Sequence, residues 1–220
     1  MPIDKILADA DRAVADIGDG ATILVGGFGG AGSPTRLLEA LARRRLSDLT
    51  IVSNNAGTGR TGLAAVLASG AVRKLCCSYP RSSGSVVFDE LYAAGSVELE
   101  LIPQGTLSER IRAAGAGIAA FYTPVGVDTE LGEGREQRII GDRAYLLEHA
   151  LPGDFALIKG LRADRWGNMT YDKAARNFGP TMAMAGQITI AEVDELVPLG
   201  DLDPEVIVTP GVFVQRVVRS

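Results

Sequence analysis

The sequence is short of the residue types on which most catalytic chemistries depend. Its 220 residues include one histidine, one tryptophan and two cysteines, and aromatic residues make up only 5%. Any Ser-His-Asp or Cys-His arrangement would rest on His149 alone. That residue lies in Leu147-Glu148-His149-Ala150-Leu151, just before Pro152, and reads as a helix-end histidine. Cys76 and Cys77 are adjacent in a strand-like run, where successive side chains point to opposite faces, so neither a mutual disulfide nor a shared metal is expected and both are expected as buried thiols. No His, Cys, Asp or Glu spacing fits a metal site, and none is expected. No stretch approaches the roughly 20 apolar residues of a membrane span, and the acidic, amphipathic amino terminus has no signal-peptide core. The chain is therefore expected in the cytoplasm, away from membranes. A net charge of −5, with Lys and Arg scattered, offers no surface for nucleic acid, and the one basic cluster, Arg43-Arg44-Arg45, is placed at a helix end.

Glycine is what the sequence has in quantity, and five of its glycines fall in one stretch, Gly26-Gly27-Phe28-Gly29-Gly30-Ala31-Gly32. The apolar run Thr22 to Val25 leads into it and reads as a buried parallel strand. Ser33 is expected to cap the following helix, with Pro34 at its first position. A strand, a bare backbone loop and a helix start form an anion-binding arrangement, because N–H groups can approach a phosphate, carboxylate or oxyanion without side chains in the way. A plain tight turn is the alternative.

With 46% hydrophobic and 22% charged residues, the length suits one α/β domain over residues 1–220. Ile6, Leu7, Ala10, Val14 and Ile17 recur at helical spacing and predict an opening amphipathic helix. Beyond the glycine stretch, strands are predicted at Leu49–Ser53, Val72–Ser78, Val97–Ile102, Phe155–Lys159, Ile188–Val193 and Val206–Val208. Helices are predicted at Ser33–Arg45, Leu63–Ser69, Val86–Ala94 with Val87, Leu91 and Ala94 inward, and from Thr106, which forms a capping-box pair with Glu109. Repeated βα units imply an α/β fold with an open, mostly parallel sheet and flanking helices; the glycine-rich segment 121–141 reads as a small β excursion.

Three loops follow strand ends: Gly26 to Gly32, Ser53 to Gly59, and Pro103 to Thr106. In an open α/β sheet such ends converge on one crevice. The glycines also match G-x-G-x-x-G, but the second strand ends in Ser53-Asn54-Asn55, where a dinucleotide site needs an acidic residue, which disfavours a nicotinamide oxidoreductase. A non-catalytic sensor of CoA or a sugar phosphate is a further alternative. Asn54, Asn55 and Gln104 either line an oxyanion and carboxylate pocket or merely satisfy turns. None of them is a nucleophile or a base.

Asp19-Gly20 through Gly26-Gly27-Phe28, with Gly32 and Pro34, resembles the glycine-loop signature of class I CoA-transferases. The likeness continues through Ser53-Asn54-Asn55-Ala56-Gly57, Pro103-Gln104-Gly105-Thr106-Leu107, Glu109-Arg110-Ile111-Arg112, Phe121-Tyr122-Thr123-Pro124 and Lys173-Ala174-Ala175-Arg176-Asn177-Phe178. It covers essentially the whole chain and matches the A subunits of the 3-oxoacid group. Tyr79-Pro80-Arg81, Phe88 to Tyr92, Asp164 to Asn168 and Thr209-Pro210-Gly211 most resemble the branch whose acceptor is 3-oxoadipate.

The resemblance implies CoA and acyl-CoA as substrates, no permanently bound cofactor, succinyl-CoA and a 3-oxoacid as the exchanging pair, and, as partner, a separate B subunit. The B subunit would carry the nucleophilic glutamate, with Asn54 standing here at the corresponding place. It further implies that Gly26, Gly27, Phe28, Gly29, Gly30, Ala31 and Gly32 line the CoA side, that Gln104 contributes to the oxyanion pocket, and that Asn54 and Asn55 shape its wall. Arg176 would pair with a substrate carboxylate or form a structural ion pair.

Overall fold

A computed structural model describes residues 3–220. Seven strands form one sheet: β1 (Thr22–Val25), β2 (Leu49–Asn55), β3 (Val72–Tyr79), β4 (Glu98–Leu101), then β8 (Gly153–Ala163), β9 (Gly186–Leu196) and β10 (Arg216–Arg219). Their order is β10-β9-β8-β1-β2-β3-β4, and every pairing is parallel. Helices α1 (Ala10–Ala13), α2 (Thr35–Ala42), α3 (Leu63–Ala68), α4 (Val86–Ala93), α5 (Gln104–Gly115) and α6 (Gly179–Ala185) flank it. β5 (Ala120–Thr123), β6 (Gln137–Ile140) and β7 (Arg143–His149) form a separate antiparallel sheet ordered β5-β7-β6.

The central strand β1 reads as an unbroken apolar run because both faces of the sheet are covered there. Ile23, Val25, Ile51, Leu75, Cys77 and Leu157 pack on one face with Leu37, Leu41, Leu67 and Phe88. Leu24, Val52, Cys76, Ala156 and Ile158 pack on the other with Leu107, Ile111 and Met182. The two cysteines thus belong to opposite cores, and burial pushes both thiols up to about 12. Strand order reverses at β1, between β8 and β2, so the glycine loop that follows β1 opens at the topological switch point.

Several local expectations give way to long-range contacts. The opening helix is a single turn, α1, capped by the Asp9 side chain on the Arg12 N–H; the segment before it pairs with β10, where Ile6 bridges Val217 and Leu7 N–H donates to the Val217 carbonyl. Ser33 does not cap α2, and Pro34 stands at the cap position itself. Instead Glu192, on β9 and 1% exposed, reaches across so that its Oε2 accepts the N–H groups of Arg36 and Leu37 at 2.9 and 3.2 Å. The start of α2 is therefore occupied by an internal carboxylate.

Thr106 and Glu109 form no capping box. The helix begins two residues earlier, after Pro103, which leaves Thr106 Oγ1 buried without a partner among the described residues, while Glu109 pairs with Arg112. Ala94 is exposed and Phe88 takes its inward place. His149 ends β7 rather than a helix, opposite Ala120 of β5. The segment around Val206 is a short 3-10 turn, with the last strand lying later, at β10. The β excursion extends over residues 120–149 instead of 121–141. Arg110 ties it to the main sheet through Glu100 (2.8 Å) and the His149 carbonyl (2.8 Å).

Candidate active site

The three loops that follow the strand ends do converge. Gly26, Gly27, Gly29 and Gly30 line a cavity with Asn54, Asn55 and Gly57. It adjoins a second of about 480 Å³ bordered by Phe28, Gly29, Asn54, Tyr79 and Gln104. Phe28 and Ala31 exchange backbone hydrogen bonds (3.0 and 3.1 Å), closing a tight turn with Gly29 and Gly30 at its tip. A Cβ built on either tip glycine would meet no atom within 4 Å. The tip is bare backbone standing in open space.

The glycines have separate duties. Gly26 N–H still belongs to the sheet, donating to the Leu157 carbonyl at 2.9 Å. Gly27, at φ +127°, donates to Asn177 Oδ1 at 3.0 Å, and Gly32, at φ +72°, packs so closely on the Ala175 carbonyl that a Cβ would lie 2.2 Å from it. Phe28 and Ala31 are exposed.

Asn177 has no signal of a site residue in the sequence beyond its place in the Lys173 to Phe178 motif. In the fold it latches the loop: Oδ1 accepts from Gly27 and Phe178, and Nδ2 donates to the carbonyls of Ala31 and Ala175 at 3.0 Å each. Its φ of +21°, unusual for a side-chain-bearing residue, is the backbone distortion that permits this.

The polar loops resolve into distinct roles as well. Asn55 closes a turn, its Oδ1 accepting the Gly57 N–H at 2.8 Å. Asn54 is 4% exposed, and its Oδ1 accepts from Gln104 Nε2 at 2.7 Å and from Ser78 Oγ at 2.9 Å. Its Nδ2 has no acceptor among the described residues, and the residue lines both cavities. Gln104 is exposed at the first position of α5, whose start has no side-chain cap, so the amide is not spent as a helix cap. Arg176 is exposed beside the latch and forms no ion pair among the described residues.

No Asp, Glu, His or Lys lines these cavities. The hydroxyls present have no base beside them, and the thiols lie buried beneath, in their neutral form. The arrangement presents N–H donors toward an anion and holds no group that could attack a carbonyl.

Residues 7–220 match the family model described as Coenzyme A transferase. The chain belongs to the coenzyme A transferase family. It is 60% identical over 216 residues to the A subunit of 3-oxoadipate CoA-transferase from Pseudomonas putida, covering 98% of this chain and 94% of that one. It is 46% identical to the A subunit of a probable succinyl-CoA:3-ketoacid coenzyme A transferase from Bacillus subtilis (97% and 89% covered). Among solved structures, the fold matches an acyl-CoA transferase apoenzyme from Escherichia coli O157:H7 with a TM-score of 0.88 at 23% identity; the match takes in all of this chain and 48% of that one. Glutaconate coenzyme A-transferase from Acidaminococcus fermentans matches with a TM-score of 0.85 at 18% identity, over 98% and 75% of the two chains. The chain thus spans about half the length of the Escherichia coli protein. Among the described residues no helix is long and apolar enough to cross a membrane.

Proposed function

We propose that this chain is the A subunit of a two-subunit enzyme that moves CoA from succinyl-CoA to a 3-oxoacid, with 3-oxoadipate as acceptor. The observation that carries the reading is the donor-lined, nucleophile-free cleft. Such a site suits a reaction in which the attacking group arrives on another chain. The names of the relatives support a partner, and so does the match to the human succinyl-CoA:3-ketoacid coenzyme A transferase 2, of which this chain covers 45%. Residues 1–220 would act as one unit, with the pair working in the cytoplasm and needing no permanently bound cofactor.

In this reading a glutamate carboxylate on the B subunit adds to the thioester carbonyl of succinyl-CoA. The tetrahedral oxyanion collapses, the carbon–sulfur bond breaks, and CoA thiolate leaves an acyl-glutamyl anhydride. The thiolate then adds to the glutamyl carbonyl and expels succinate, which leaves a glutamyl-CoA thioester. The acceptor carboxylate reverses both steps. Each addition creates negative charge on one oxygen, and the contribution of this chain is donors placed before that charge appears: Gln104 and the N–H groups of Gly29 and Gly30 at the loop tip, with Asn54 shaping the wall behind Gln104.

The test is co-production with the B subunit, followed by assay of succinyl-CoA against 3-oxoadipate and acetoacetate and by intact mass of both chains. The expected result is preferred use of 3-oxoadipate, a CoA adduct on the B subunit only, and no turnover by this chain alone. A CoA adduct on this chain, or turnover without partner, would overturn the division of labour. Preference for acetoacetate would overturn the acceptor.

A further inference from the structure

We propose that Ser78, near the end of β3, is a positioning residue for the transfer reaction, acting on Gln104 through Asn54. The inference rests on the reading of Gln104 given above. The three side chains come from three elements that meet only in the folded chain: β3, β2 and the start of α5. Ser78 Oγ lies 2.9 Å from Asn54 Oδ1 and 3.2 Å from the Asn54 carbonyl, and Gln104 Nε2 donates to the same Oδ1 at 2.7 Å.

An amide side chain has one end that accepts and one that donates, and its terminal torsion is broad and nearly two-fold. What selects the end is the proton presented to it. The Gln104 amide presents a proton to Asn54 Oδ1, and the Ser78 hydroxyl, whose single proton lies between Oδ1 and the Asn54 carbonyl, braces the same oxygen from the other side, so the oxygen faces them and Nδ2 is left for the cleft. Asn54 is 4% exposed and has little room to swing elsewhere, which makes the flip its main freedom. Without the Ser78 hydroxyl the oxygen end loses one of its two donors. The flipped form then sets Nδ2 against Gln104 Nε2, two donors face to face, and the Gln104 amide must turn away from its place. Sheet pairing does not need this hydroxyl, since β3 pairs with β2 through the backbone, at Cys77 with Ser53 and Tyr79 with Asn55.

The experiment compares Ser78→Ala, Ser78→Thr, Gln104→Ala and the Ser78→Ala/Gln104→Ala double variant, each assembled with the B subunit, by kcat, by KM for succinyl-CoA and by melting temperature. Ser78→Ala is expected to lower kcat roughly tenfold, the scale of a supporting group behind a directly acting one, with KM and melting temperature near wild type. Ser78→Thr should restore kcat. In the Gln104→Ala background, Ser78→Ala should have almost no further effect, because the amide it positions is gone. Wild-type kcat in Ser78→Ala, the same loss persisting in the Gln104→Ala background, or a folded Ser78→Thr complex as slow as Ser78→Ala would each overturn the proposal. If Gln104→Ala itself keeps wild-type kcat, the reading of the cleft fails and this inference falls with it; a slow Gln104→Ala beside a normal Ser78→Ala removes this inference alone.

Discussion

Two alanine substitutions two positions apart in the glycine loop should have opposite consequences. At Gly32 the backbone is left-handed, φ +72°, and an added Cβ would lie 2.2 Å from the Ala175 carbonyl oxygen and 2.8 Å from Asn177 Nδ2. The left-handed conformation costs an L-residue about 1–2 kcal/mol, and forcing a methyl into packed backbone costs about 1–3 kcal/mol more, so Gly32→Ala should lose about 2–5 kcal/mol. For a chain of this size each kcal/mol moves the melting temperature by about 2–4 °C, which places the drop at roughly 4–20 °C. At Gly30 a Cβ meets nothing within 4 Å and φ is not left-handed. Gly30→Ala should leave stability unchanged or raise it by about 0.4–1 kcal/mol, by narrowing the unfolded ensemble. Its effect should appear in kcat/KM, because the tip stands where ligand backbone contact is proposed, and Gly30→Val should lower kcat/KM further. Thermal melting of the isolated chain reads the first effect. Steady-state kinetics on the assembled complex, with assembly checked by size-exclusion chromatography, read the second. A Gly32→Ala chain that melts like wild type would refute the packing argument. A Gly30→Val complex with wild-type kcat/KM would show that the tip is only a turn.

Gln104→Ala should lower kcat by about 10²–10³, the usual loss for one preorganised oxyanion donor, and should raise KM less. A complex that melts several degrees lower but keeps kcat would give Gln104 a structural role instead. A separate expectation concerns acid. Burial opposes ionisation of Glu100, but hydrogen bonds from Lys74 and Arg110 outweigh it and hold the carboxyl down at about 2, against an ordinary value of 4.5. Between those values the unfolded chain binds more protons than the folded one, so this stabilisation is complete above about pH 4.5 and is lost as pH falls toward 2. Urea midpoints measured across that window should fall less steeply in Glu100→Gln than in wild type; equal slopes would remove Glu100 from the acid response.

Much of the fold was legible because it is written in short-range pattern. Apolar runs bounded by glycine, such as Thr22 to Val25 before Gly26, and the helical spacing of Val87 and Leu91 needed only period and punctuation to be read. The alternation that sends Cys76 and Cys77 to opposite faces is likewise local geometry. Recognising the glycine loop, the Ser53-Asn54-Asn55 turn and Pro103-Gln104 as strand-end loops of one parallel sheet was enough to bring them to one crevice.

Where local signals failed, a distant group had taken the place of a nearby one. Ser33 is a good cap by residue type, yet the N–H groups of α2 go to Glu192, 156 residues away from Arg36. The glycine loop is held by Asn177, 150 residues from Gly27. Thr106 and Glu109 have capping-box spacing, but the helix starts at Gln104, after Pro103. By itself, then, the sequence determined most strands and helices of the main sheet, that the sheet is parallel, and which strand-end loops meet in one crevice, since these follow from periodicity and chain connectivity. Only the tertiary structure decided which glycines are structural and which are bare, which end of Asn54 faces Gln104, and that the start of α2 is already filled by a carboxylate. Each of these depends on a hydrogen-bond partner brought close by folding, and a buried polar group takes whichever partner the fold supplies.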